Sequence, residues 1–134
     1  MTDNAVVFTT GDLISVYTRA DALADGEQVL INATHNRLAR QYYKVPVYMT
    51  RGAWEIVTTE AERRKKHGYT VDRVLGEMLY QSRFRARTVD RSTIKFRFLI
   101  GRKTVRFYDL IVQAGPIDID NSGAAVTFMF PEEM

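Results

Sequence analysis

Between Arg83 and Arg106 the chain carries nine basic side chains against one acid, Asp90: Arg83, Arg85, Arg87, Arg91, Lys95, Arg97, Arg102, Lys103 and Arg106. The chemistry open to such a block is electrostatic. Gathered on one surface, these groups attract phosphates or the acidic side chains of a protein partner. The other 110 residues hold ten Lys/Arg and fifteen Asp/Glu, a balance of −5 within a net charge of +3, so the chain is strongly polarised. Eight of the nine (Arg83, Arg85, Arg87, Lys95, Arg97, Arg102, Lys103 and Arg106) are the candidate partner-binding residues. Arg83, Arg85 and Arg87 alternate around Phe84 at the end of a predicted helix. Lys95 and Arg97 project from the solvent face of a predicted strand, and Arg106 is expected beside them on the next strand. Like charges facing one another across strands cost stability unless a partner or nearby acids neutralise them. The acids within reach in sequence are Glu77, Asp90 and Asp109.

Other reactive groups are sparse. There is no cysteine, which removes disulfides, thiol nucleophiles and cysteine-based zinc sites and favours a cytoplasmic address. The two histidines, His35 and His67, lie in different elements without metal-ligand spacing, so neither a metal nor a cofactor is expected. Ser15, Ser82, Ser92 and Ser122 lack the strand–turn–helix setting of a nucleophilic serine. The run Asp118-Ile-Asp-Asn-Ser-Gly123 copies the first half of a calcium loop, but the position of the bidentate glutamate falls on Met129. A hairpin turn that needs Asp, Asn and Gly for its backbone angles explains it better. Gly101-Arg102-Lys103 is too short for a phosphate loop. Of the seven tyrosines, Tyr42, Tyr43 and Tyr108 stand in Tyr42-Tyr43-Lys44 and Phe107-Tyr108, the two segments expected to be partly exposed. These observations point away from an enzyme.

The elements that must position these groups follow from periodicity. With 134 residues, 46% of them apolar, and with no linker or repeat, one domain spanning 1–134 is expected. Residues 1–9 read as a loose arm or an edge strand, and Asp12–Tyr17 is ambiguous between strand and helix. Thr18 caps a short helix over Arg19–Ala24 that stops near Gly26. Gln28–Ala33 reads as a strand, His35–Tyr42 as a short helix, and Val45–Tyr48 as extended. Thr50 caps a helix over Arg51–Lys66 with Trp54, Val57 and Ala61 on one face, and with Glu60/Arg64 and Glu62/Lys66 as exposed i,i+4 pairs. After Gly68 a second main helix, Val71–Phe84, carries the stripe Val71, Val74, Leu75, Met78 and Leu79. The period then changes from 3.6 to 2. Ile94–Ile100, Thr104–Gln113 and Ala125–Phe130 read as three antiparallel strands. The expected fold is α+β: two main helices packed on one face of a C-terminal three-stranded antiparallel meander, preceded by a short N-terminal helix and strand. No apolar run is long enough to cross a bilayer, and Met1-Thr-Asp-Asn4, with no basic segment before an apolar run, is not expected to be a signal peptide.

Three blocks carry a resemblance: Ile14-Ser-Val-Tyr-Thr-Arg-Ala-Asp-Ala-Leu-Ala-Asp-Gly26, Val45-Pro-Val-Tyr-Met-Thr-Arg-Gly-Ala-Trp54, and Gly115-Pro116 followed by Val126-Thr-Phe-Met-Phe-Pro131. Together they resemble an uncharacterised, domain-of-unknown-function family of small proteins found largely on phages, plasmids and other mobile elements of bacteria. The resemblance carries no catalytic residues, and it does not extend to the basic block. What it implies is a non-catalytic accessory protein of a mobile genetic element. Such a protein is expected to inhibit a host defence complex, as an anti-CRISPR protein does, by protein–protein contact. The target would be a host protein complex, for instance a nucleic-acid-handling effector. The alternative expectation is a sequence-independent nucleic-acid-binding protein that uses the basic face.

Overall fold

In the computed structural model, which describes residues 16–134, four helices and six strands build one mixed sheet with its helical layer. The helices are α1 (Arg19–Ala24), α2 (Ile31–Tyr42), α3 (Arg51–Arg63) and α4 (Val71–Phe84). The strands are β1 (Gln28–Leu30), β2 (Val47–Thr50), β3 (Arg87–Asp90), β4 (Thr93–Ile100), β5 (Arg106–Asp118) and β6 (Asn121–Met129), in the spatial order β1-β2-β6-β5-β4-β3. All neighbours are antiparallel except β2 and β6, which run parallel with Val47 opposite Val126 and Met49 opposite Phe128.

The C-terminal meander is therefore present, but as three strands of six, and the expected three-stranded sheet is corrected. Two short strands extend it at one edge through the parallel pairing, and β3 extends it at the other. The physical reason is that parallel pairing is non-local. Val47–Thr50 is satisfied by a strand more than seventy residues away, and nothing local announces it. Arg87–Asp90 was legible only as charge. The helical readings hold more closely. Thr18 caps α1, accepting from the Asp21 amide while the Asp21 carboxylate accepts from the Thr18 amide. Thr50 and Thr70 cap α3 and α4. The expected strand over Gln28–Ala33 ends at Leu30. Helix α2 begins at once and is kinked at His35 (φ −131°, ψ 42°), so the helix expected from His35 is the second limb of a longer one. Helix α3 ends at Arg63, and a 3-10 turn over Lys65–His67 is closed by Gly68 at φ 83°. The readings for residues 1–9 and for most of Asp12–Tyr17 fall outside the described residues.

Apolar side chains of α2, α3 and α4 (Ile31, Ala39, Val57, Ala61, Leu75, Met78, Leu79) pack against one face of the sheet, through Met49, Phe96, Phe98, Leu110, Val112 and Phe128. The alternation read in Ile94–Ile100 thus sorts as expected: Phe96, Phe98 and Ile100 are buried, while Lys95, Arg97 and Leu99 are exposed on the opposite face. Strand β3 is short, so the edge of β4 near Leu99 has no strand beside it. Gln81 of α4 fills the gap, its Oε1 accepting from the Leu99 amide at 2.8 Å and its Nε2 donating to the Leu99 carbonyl at 2.9 Å. None of the described helices is long and apolar enough to cross a membrane.

Candidate functional site

At the junction of α3, the following 3-10 turn and β5 lies Glu60, a carboxylate with no exposed surface. Arg64 Nε donates to its Oε1 at 2.9 Å and Arg63 Nη1 to its Oε2 at 2.8 Å, Arg106 Nε stands 3.3 Å from Oε2, and the Tyr108 hydroxyl donates to the same oxygen. Burial pushes the Glu60 carboxyl upward. The hydrogen bonds from Tyr108 and Arg64 and the charges of Arg63 and Arg64 outweigh it, so the group titrates below the usual glutamate value. Burial together with the bond to Glu60 raises the Tyr108 phenol. The pair expected to be exposed, Glu60/Arg64, is thus a buried one. The reason is visible in the spacing: Ala53, Ile56, Val57, Glu60 and Ala61 form the core-facing stripe of α3, and Glu60 stands within it.

The eight candidate basic residues do not form one surface. In register, Arg106 sits opposite Ile100 and faces the helices, not beside Lys95 or Arg97 as expected from the sequence. On the open face Arg97 is neutralised by Asp109, directly opposite in register, through Nε–Oδ1 at 2.8 Å and Nη2–Oδ2 at 3.2 Å; that hydrogen bond holds the Asp109 carboxyl below its usual range. The Arg97 guanidinium also lies 4.2 Å from the centre of the exposed Phe107 ring. Arg87 and Lys95 are register partners on adjacent strands, both exposed, and have no acid partner among the described residues. The guanidinium of Arg83 is 5.1 Å from the Tyr43 ring centre. Of the acids expected to neutralise the block, Glu77 pairs with Arg73 instead, and Asp90 accepts from the amide and hydroxyl of Ser92 in its turn.

Arg102 and Lys103 have different company. They sit in the β4–β5 hairpin and line a cavity of about 780 Å³ with Arg64, His67, Tyr69, Arg73 and Thr104. No acid lines it. Sequence reasoning missed Arg64 and Arg73, because their separation from the hairpin in the chain hides their proximity in space. A shallower groove of about 640 Å³ runs alongside, lined by Tyr80, Gln81, Arg85, Leu99, Gly101 and Val105 among others. At its margin Tyr80 packs against Phe84, with ring centres 4.9 Å apart and planes tilted by 40°. Phe84 (67% exposed), Tyr80, Leu99, Val105 and Phe107 are all large apolar side chains left in solvent at this end of the molecule.

The remaining candidates are accounted for locally. His35 lies between the Thr34 hydroxyl (2.8 Å from Nδ1) and Asp72 (3.4 Å from Nε2), with its ring against Trp54. Among the described residues no three His, Cys, Asp or Glu gather as a metal site. Asp118 accepts from the amides of Ile119, Arg19 and Ala20, and so ties the β5–β6 turn to the start of α1; these bonds, the first from Ile119, hold its carboxyl below the usual value. Asn121 accepts from Gly123. The run that resembled a calcium loop is thus a turn. Tyr43 is buried against Ser82, not partly exposed as expected, while Tyr42 and Tyr108 are partly exposed and Phe107 is 55% exposed.

Fold and site together define a small α+β protein whose cations are divided between an open sheet face and a cavity at one end. The chain belongs to a family of unknown function, DUF6573, whose profile matches residues 4–134. No curated protein and no solved structure matches it.

Proposed function

We propose that this is a non-catalytic protein-binding accessory protein of a mobile genetic element, acting in the cytoplasm to inhibit a host defence complex in the manner of an anti-CRISPR protein. One observation carries the protein-binding part. The exposed side chains of Tyr80, Phe84, Leu99, Val105 and Phe107 accompany Arg85 and Arg97 at the hairpin end of the sheet. Aromatic side chains and arginine are the types enriched at the centres of protein interfaces, and contiguous apolar surface left in water marks such sites. The defence-inhibitor part rests on the resemblance of the three sequence blocks.

Sequence-independent nucleic-acid binding is the second reading, favoured by the adjacent exposed cations Arg87 and Lys95. Against it, Phe96 and Phe98 are buried and unavailable to stack on bases, and Asp109 neutralises Arg97. The test is recovery of partners from a host lysate on tagged protein, with and without nuclease, for the native chain and a Phe84→Ser/Phe107→Ser variant. A stoichiometric, nuclease-resistant partner that the variant loses, with its melting temperature nearly unchanged, supports the protein-binding reading. Recovery that collapses with nuclease, or that the variant retains in full, overturns it.

A further inference from the structure

We propose that the cavity between the turn after α3 and the β4–β5 hairpin binds a small polyphosphate anion, of the class of pyrophosphate and the nucleoside di- and triphosphates. Four permanent cations line it, Arg64, Arg73, Arg102 and Lys103, with His67 beside them; Glu60 pairs with Arg64 and Glu77 with Arg73, but no carboxylate is among the lining residues. Arg102 and Lys103 have no acid partner among the described residues, and Arg64 shares its one carboxylate with Arg63 and Arg106, so a ligand with several negative charges compensates the site better than a lone carboxylate or orthophosphate. The volume of about 780 Å³ also exceeds what one phosphate fills.

Two of the cations are held in place before any ligand arrives. Arg64 is only 9% exposed, and its Nε is fixed by Glu60 at 2.9 Å; among the described residues no oxygen accepts from its two terminal nitrogens. A buried guanidinium with unused donors facing a cavity is the arrangement that binds an oxyanion through paired hydrogen bonds. The guanidinium of Arg73 stands over the Tyr69 ring, 3.9 Å from its centre, and its Nε reaches Glu77 at 3.4 Å. Arg102 and Lys103 close the other side from the hairpin. That hairpin comes this near because residue 101 is glycine. At φ +111° a Cβ there would lie 2.6 Å from Arg64 Nη1 and 2.2 Å from the Thr104 carbonyl oxygen. This inference is independent of the protein-binding reading, which rests on the apolar side chains outside the cavity.

Isothermal titration of the full chain with pyrophosphate, ATP and orthophosphate tests it. The comparison is between Arg102→Ser/Lys103→Ser and a control of equal charge loss on α2, Arg37→Ser/Arg40→Ser. Saturable one-site binding of pyrophosphate or ATP, tighter than orthophosphate, is expected, weakened at least about tenfold by the hairpin variant and little by the control. Equal affinities for pyrophosphate and ATP confine recognition to the phosphates, and tighter ATP extends it to the nucleoside; both support the site. No saturable heat up to about 1 mM, or equal weakening in both variants, overturns it. So does binding seen only with a single-stranded oligonucleotide.

Discussion

Glu60 shows how much one side chain can decide. A carboxylate with no exposed surface stays ionised because three guanidinium groups and a phenol surround it, and through them it joins α3 to β5. Removing one partner of a buried pair leaves the other charge uncompensated. Glu60→Ala should therefore cost about 3–5 kcal/mol in a urea unfolding experiment, far more than the few tenths of an exposed helix pair. Because the folded-state value of Glu60 is depressed, its contribution is fully present above the usual glutamate value of about 4.3 and is lost as pH falls through the folded value. A Glu60→Gln variant should show a flatter loss of melting temperature below about pH 4 than the native chain. The same network separates two arginines that look equivalent in the sequence. Arg106→Glu sets a second carboxylate against Glu60 and should lower the melting temperature by more than about 5 °C. Arg97→Glu, on the exposed face, should lower it by less, although it too meets an acid in Asp109.

At the scale of elements, the edge of β4 is finished by a side chain where a strand would otherwise stand. Gln81→Leu leaves the Leu99 amide and carbonyl without partners in a half-closed setting, at a cost of about 1–3 kcal/mol. Hydrogen exchange at the Leu99 amide should accelerate accordingly, and unchanged protection would show that the edge is closed by other means. The β4–β5 hairpin depends on Gly101 in a comparable way. Gly101→Ala forces a Cβ into the Thr104 carbonyl at a positive φ and should cost about 1–3 kcal/mol while moving the hairpin away from Arg64. The starts of α1 and α3 were legible because Thr18 and Thr50 cap them chemically; the start of α2 was not, because Leu30 offers no side-chain cap.

The whole molecule is organised by pairings that join distant parts of the chain. Strand β2 docks parallel on β6, and the tail returns to the start of α3, where Glu133 accepts from the Thr50 hydroxyl at 2.8 Å. Closing such long loops precedes the contacts that reward it, so refolding on the millisecond-to-second scale is expected. Stopped-flow fluorescence of Trp54, the single tryptophan, reads this directly; microsecond folding would show that the parallel pair forms outside the rate-limiting step. Charge, too, is distributed at this scale. The block that looks continuous in the sequence divides into a neutralised pair and the exposed neighbours Arg87 and Lys95 on the sheet, a structural arginine at Glu60, and a cationic cavity.

The sequence by itself determined the α+β class, the helices over Arg19–Ala24 and Val71–Phe84, the buried side of Phe96 and Phe98, and a hairpin turn within Asp118–Gly123, which closes over Ile119 and Asp120. Each depends on neighbours within a few residues: a cap, a period, or a turn preference. Only the tertiary structure decided the six-stranded sheet, the burial of Glu60 and the meeting of Arg64 and Arg73 with Arg102 and Lys103. Those features depend on which distant segments share a wall, and charge pattern along a chain carries no record of the face on which each charge will stand.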